Sequence, residues 1–161
     1  FVVATAAAVG KGLGPEATWA LATEQARQDG ATAVLERLHA ARLTPPDEAD
    51  GPKQGWVLLA LHNAFHQLLW APSVEEGLAR TLALGGDTDT NAAIAGALLG
   101  AVHGAQALPT AWVDRLLACR PLAGHPGVHR PRPKVYWPVD ALLLSERLVR
   151  LGQRASTALS G

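Results

Sequence analysis

The chain lacks anything that would cross-link it, span a membrane or give it a field of one sign. Its single cysteine, Cys119, excludes an intrachain disulfide. Its 14 basic and 14 acidic side chains cancel, which removes any overall attraction to nucleic acid or to an anionic membrane. An anionic ligand must then be held by local groups. No apolar run reaches the ~20 residues that cross a bilayer, because Ala92 to Val102 is closed by Asn91 and His103. No secretory leader is visible at the start, and together with the lone thiol this points to a reducing, cytoplasmic setting. Strand-like alternation of useful length is missing, as is any internal repeat, so neither a sheet nor a solenoid is expected.

What is present is a chain of 161 residues with 48% hydrophobic content, enough to build a core for one domain. Phe1 to Val9 is apolar almost without break and reads as a buried helix, stopped by the glycine-rich stretch from Gly10 to Pro15. Pro15 opens a second helix through about Gln28, with Trp19 and Ala22 inward. A third, Ala31 to Ala41, carries Val34, Leu35 and Leu38 in amphipathic spacing, with His39 in a solvated or capping role near its C-terminus. Leu43 to Gly55 holds Pro45, Pro46, Pro52, Asp47, Glu48 and Asp50, which supply turns and no periodic apolar face. It reads as a loop.

Trp56 to Trp70 is the most apolar helix, and Ser73 followed by Glu76 starts the next with a capping box. His62 and His66 share one face at i and i+4, a spacing that can serve zinc. The Glu of His-Glu-x-x-His and a third ligand are both missing, so buried, hydrogen-bonded histidines are expected instead. Gly96, Gly100 and Gly104 recur every four residues beside Ala93, Ala97 and Ala101, a thin helix flank that neighbours can approach closely. Ala111 to Ala118 reads as a short helix with Trp112, Leu116 and Leu117 inward. Arg120 to Pro138 is proline-rich, extended and basic, and a closing helix from Val139 to about Arg154 carries Leu142, Leu143, Leu148 and Leu151. The fold class expected is all-α, a compact orthogonal bundle of several helices with no significant sheet.

The chemistry concentrates in Gly85-Gly86-Asp87-Thr88-Asp89-Thr90-Asn91. Paired glycines allow a sharp turn that carries Asp87 and Asp89 into one small volume, and Thr90 adds a hydroxyl. These are hard oxygen donors suited to Mg²⁺, Mn²⁺ or Ca²⁺ rather than to metals that prefer thiolate. Asp and Thr are also favoured at helix N-termini, so capping accounts for one or two of the residues without requiring the whole motif. The haloacid dehalogenase motif, Asp-x-Asp-x-Thr/Val after an apolar strand, fits poorly because Asn91 takes its last position and the preceding residues look helical.

Gly55 to Trp112 resembles the C-terminal half of the ADP-ribosylglycohydrolase family, which includes the dinitrogen-reductase-activating glycohydrolases. The resemblance rests on Gly55-Trp56-Val57, Ser73-Val74-Glu75-Glu76-Gly77, Gly85 to Asn91, Gly96 to Gly104, Leu108-Pro109 and Trp112, in that order. Family members are longer and carry a Thr-Asp-Asp metal motif and a Gly-rich phosphate loop in their N-terminal half. Neither occurs here, and with Phe1 rather than Met at the start, residues 1–161 read as the C-terminal portion of such a helical domain.

The resemblance implies a binuclear Mg²⁺ site, with Mn²⁺ as an alternative, holding the ribose hydroxyls of an ADP-ribosyl group. It places Asp87, Asp89 and Thr90 among the metal ligands, with Asp87 also a candidate catalytic base, and sets Trp56 near the nucleoside portion of the substrate. A Trp opening an apolar helix is also a common core residue, and a base from the N-terminal half is the alternative to Asp87. The implied activity is hydrolysis of the glycosidic bond between ADP-ribose and a modified acceptor. The implied partners are that substrate and the N-terminal half, with nucleic acid entering only as an ADP-ribosylated acceptor. A non-catalytic ADP-ribose-binding or interaction module and a metal-dependent hydrolase of another substrate are the alternatives.

Overall fold

The structure, a computed structural model, describes residues 1–49, 51 and 54–159, the last four by backbone alone. Asp50 and Pro52 of the loop therefore lie outside the described residues. All regular structure within these bounds is helical. In chain order the helices are α1 (Val2–Lys11), α2 (Pro15–Gln28), α3 (Thr32–Leu43), α4 (Val57–Trp70), α5 (Val74–Ala83), α6 (Thr88–His103), α7 (Thr110–Leu117) and α8 (Ala141–Leu159). The chain divides into two compact units, Phe1–Leu108 and Pro109–Gly161.

In the first unit α4 is central. It packs on α3 and α6, and α6 in turn packs on α5 and α1. The reason is visible in its sequence: VLLALHNAFHQLLW is apolar on nearly every side, and Leu59, Ala64, Phe65 and Leu68 are all buried. Leu38 of α3 and Leu98 and Leu99 of α6 complete the centre of the core. Each such Leu or Phe contributes about 1.5–3 kcal/mol by leaving water. Trp19 of α2 packs on this core and donates its Nε1–H to the Leu38 carbonyl at 2.8 Å, tying α2 to α3 through a polar tip on an apolar ring.

Helix ends follow the residues that were expected to set them. Gly12 closes α1, and its N–H reaches the Ala8 carbonyl. Pro15 stands at the start of α2. The Ser73 hydroxyl accepts from the Glu76 N–H at 3.1 Å, while the Glu76 carboxylate turns away to Arg80 at 3.0 Å, so half of the capping box forms.

Two packing expectations need correction. α1 is helical, but only Ala4 and Ala8 are buried; Val2, Val3 and Val9 are exposed. Continuous apolarity indicates a helix with no polar face and does not say which side is covered. On α6 the buried residues are Asn91, Ala95, Leu98 and Leu99. Of the glycines on its thin flank, Gly96 meets Leu78 of α5, while nothing lies within 4 Å of a Cβ built on Gly100. The close approach between α5 and α6 is made from the other side. A Cβ on Gly77 would lie 2.9 Å from Leu99 Cδ1, and 3.2 Å from the Ala71 Cβ. Beneath it, Asn63 donates to Thr81 Oγ1 at 3.0 Å, Thr81 donates to the Gly77 carbonyl at 2.8 Å, and Gln67 donates to Asn63 Oδ1 at 3.1 Å.

The second unit comprises α7, two short 3₁₀ turns (Lys134–Tyr136 and Pro138–Asp140) and α8. Its proline-rich segment is folded back rather than extended: the Arg132 N–H reaches the Pro121 carbonyl at 3.0 Å, and Trp137 Nε1 donates to the Arg132 carbonyl at 2.9 Å. Arg120 donates to the carbonyls of Leu117 and Cys119 and lies 5.7 Å from the Trp137 ring. Trp112 and Leu116, expected inward, are exposed, as are Leu142, Leu143, Leu148 and Leu151 of α8. Apolar residues in a helical stretch do not by themselves supply anything to cover them.

Candidate functional site

α5 ends at Ala83 and α6 begins at Thr88, so four residues must reverse the chain between two packed helices. Gly85 and Gly86 do this with φ of 75° and 66°, angles at which a side chain would crowd the following carbonyl. Thr88 N–H closes the turn on the Gly86 carbonyl at 2.9 Å, and Asn91 N–H reaches the Asp87 carbonyl at 3.0 Å to begin the helix. Asp87 is thereby the residue that precedes α6, and Asp89 and Thr90 sit in its first turn.

Asp87 makes no side-chain cap to α6. Its carboxyl is instead a neighbour of that of Asp89, and this neighbour, with the N–H groups of Thr90 and of Asp89 itself, holds the Asp89 carboxyl below the usual carboxylate range. The Thr90 N–H donates to Asp89 Oδ1 at 3.0 Å. Two carboxyls in such contact need either a shared proton or a cation to offset their repulsion. The positive end of α6 supplies a further, weaker stabilisation. Asp89 and Thr90 are exposed and Asp87 is half-buried, so the pair is open to a ligand. Among the described residues no group of three or more His, Cys, Asp and Glu side chains is placed to hold a metal. Asp87 and Asp89, with the Thr90 hydroxyl, can therefore form only part of a coordination shell, and all of it is hard oxygen.

The turn is braced from outside its own sequence. Ala49, in the loop after α3, is fully buried and donates its N–H to the Leu84 carbonyl at 3.0 Å. A Cβ on Gly86 would fall on the Ala49 carbonyl group, 2.7 Å from its carbon, and 2.9 Å from the Gln54 Cβ. Sequence reasoning missed Ala49. An alanine among prolines and acids carries no signal of a contact with a turn 37 positions away.

Trp56 precedes α4, is 37% exposed, and carries the Arg37 guanidinium 4.7 Å from the centre of its ring. It lies two residues beyond Gln54, which puts it close along the chain to the contact with Gly86. The histidine pair is structural, as expected. His62 Nε2 donates to the Thr44 carbonyl at 3.0 Å and His66 Nδ1 to the Ala41 carbonyl at 2.9 Å. Each ring keeps a lone pair on its other nitrogen, but among the described residues no third His, Cys, Asp or Glu stands with the pair to complete a metal site. His62 is 4% exposed, and burial pushes its pKa below the ordinary value of 6.5. His39, by contrast, is exposed beside Trp19.

Residues 1–152 match the family described as ADP-ribosylglycohydrolase. A putative ADP-ribosyl glycohydrolase of Acanthamoeba polyphaga mimivirus is 28% identical over 90 residues, which is 56% of this chain and 27% of that relative. The matched part thus spans about a quarter of the relative's length. No solved structure matches the chain.

Proposed function

The chain belongs to the ADP-ribosylglycohydrolase family, and from that premise we propose that it supplies one wall of a Mg²⁺-dependent site that cleaves the glycosidic bond between ADP-ribose and a modified acceptor. The observation that carries this reading is the placement of Asp87 immediately before α6 and of Asp89 and Thr90 in its first turn, behind the Gly85-Gly86 reversal. Two carboxylates and a hydroxyl suit Mg²⁺, with Mn²⁺ the alternative. When bound, the cation supplies the positive charge that orients ribose hydroxyls and offsets negative charge developing as the bond breaks.

The residues of this chain divide the remaining work. Asp89, held ionised by its neighbours, serves as a fixed ligand. With the cation offsetting the repulsion between the two carboxylates, Asp87, half-buried beside Asp89, is ionised and placed to accept a proton from water as the sugar carbon takes on oxocarbenium character. The rest of the ligand shell comes, in this reading, from the N-terminal portion that family members carry, as does the alternative base. Trp56 offers an aromatic surface to the adenine or ribose, which its exposure and its closeness in sequence to Gln54 support.

The test is Asp87→Asn and Asp89→Asn in the full-length protein. Asparagine keeps the shape and a helix-capping oxygen while removing the charge that a divalent ion needs. Both substitutions are expected to abolish Mg²⁺ uptake by calorimetry and the release of ADP-ribose from a modified arginine peptide. Undiminished release by both variants would overturn the reading, and ADP-ribose binding by the wild-type protein with no release from any acceptor would assign a binding module instead.

A further inference from the structure

The loop after α3 is held at two described points. At its start, the Thr44 carbonyl accepts from Nε2 of His62, a side chain 4% exposed on the central helix α4. Further along, Ala49 is 0% exposed, donates to the Leu84 carbonyl at 3.0 Å, and presses its own carbonyl into the space that any side chain on Gly86 would need. Leu84 and Gly86 bracket the glycine turn, and Asp87 follows immediately. A turn built on two glycines has wide backbone freedom when isolated. Here a backbone hydrogen bond on one side and a steric wall on the other narrow that freedom.

We propose that Ala49 and His62 are positioning residues, which hold the loop after α3 against the Gly85-Gly86 turn and so fix where Asp87 and Asp89 present their carboxyls. Neither residue touches a ligand. His62 fixes the loop to the core, and Ala49 transmits that fixture to the turn. A metal site whose ligands stand at the end of a flexible turn gains affinity when a surrounding shell sets their geometry in advance. The proposal rests on the reading above for the identity of what the turn holds, and not for the bracing itself.

Amide hydrogen exchange of the full-length protein without metal reads the brace directly. Ala49→Gly removes the buried methyl and loosens the loop, and His62→Phe keeps a ring while removing the donor. Each is expected to speed exchange at Thr88 and Asn91 about tenfold or more while the amides of α2 exchange as in the wild type. In the same variants Mn²⁺ uptake, followed by the spin-resonance signal of the free ion, weakens about threefold or more. His62→Gln, which restores a donor to the Thr44 carbonyl, returns both quantities toward wild type. Exchange at Thr88 and Asn91 within about twofold of wild type in whichever of the two variants folds overturns the proposal. A rise shared equally with α2 also overturns it, since that marks a global loss of stability. Failure of the wild-type protein to take up Mn²⁺ removes the metal reading and leaves exchange to decide the brace.

Discussion

Gly86 and the carbonyl of Ala49 compete for one volume: the space in which Gly86 would place a Cβ is filled by the Ala49 peptide group, 2.7 Å away at its carbon. Gly85 has a comparable backbone angle, with φ of 75° against 66°, yet nothing lies within 4 Å of its Cβ position. The two glycines therefore separate two physical effects that the sequence presents as one motif.

Gly85→Ala is expected to destabilise by about 1–2 kcal/mol, the strain of a side chain in the left-handed region. Gly86→Ala carries the same strain and adds about 1–3 kcal/mol for displacing a packed backbone. Urea denaturation of both variants measures the difference. Equal losses would mean that the Ala49 contact yields freely and that backbone angle alone selects glycine at position 86.

Trp56 and Arg37 make a second separable pair, with the guanidinium 4.7 Å from the ring centre. A cation over an exposed aromatic face contributes about 0.5–1 kcal/mol, so Arg37→Ala should lower stability by no more than that. Stacking of a base on an aromatic ring contributes about 1–3 kcal/mol, so Trp56→Ala should weaken ADP-ribose binding about tenfold or more by calorimetry. Unchanged affinity would reduce Trp56 to a residue that packs the start of α4.

Much of this arrangement is legible in the sequence, and the exceptions share a cause. Helix positions follow from apolar spacing and from stop signals such as Gly12 and Pro15, because those are local effects. The turn and its acids are legible because Gly-Gly-Asp-x-Asp-Thr combines a backbone requirement with a chemical one. The histidine pair is legible by subtraction, since a third ligand is missing. What escapes is which surface meets which. The Gly96 to Gly104 spacing describes a thin flank, but the tight contact is made by Gly77 on the opposing helix. Ala49 has no periodicity to betray its contact. The leucines of α8 stand exposed, because apolar residues in a helix do not by themselves specify a partner surface.

The α5 and α6 contact gives a direct test of that distinction. Alanine is preferred over glycine inside a helix by about 1 kcal/mol, so Gly100→Ala, with open space around its Cβ, should stabilise by up to that amount. Gly77→Ala gains the same propensity but places its methyl 2.9 Å from Leu99 Cδ1 and 3.2 Å from the Ala71 Cβ, an overpacking expected to cost about 1–3 kcal/mol. Thermal unfolding should therefore move in opposite directions for the two variants. A Gly77→Ala protein as stable as Gly100→Ala would show that Leu99 repacks without penalty.

His62 links the brace of the site to pH. Burial is the largest influence and lowers its pKa from 6.5; the Thr44 carbonyl acts the other way, the positive charges of His66 and Arg37 lower it further, and Asp47 raises it. A histidine whose folded pKa lies below its unfolded value binds fewer protons in the fold than in the open chain once pH drops below 6.5. Above that pH both states are neutral and this group leaves stability flat. As pH falls, the unfolded chain takes up the proton first, and stability declines until the folded-state pKa is passed. His62→Gln removes the titration while retaining a donor for Thr44. The melting temperature of the wild type should thus fall between pH 6.5 and about 5, where most carboxylates are still ionised, and the variant should show a shallower fall across the same window. Parallel curves would mean that the ring is protonated in the fold as easily as in the open chain, and burial in α4 would then place no constraint on its charge.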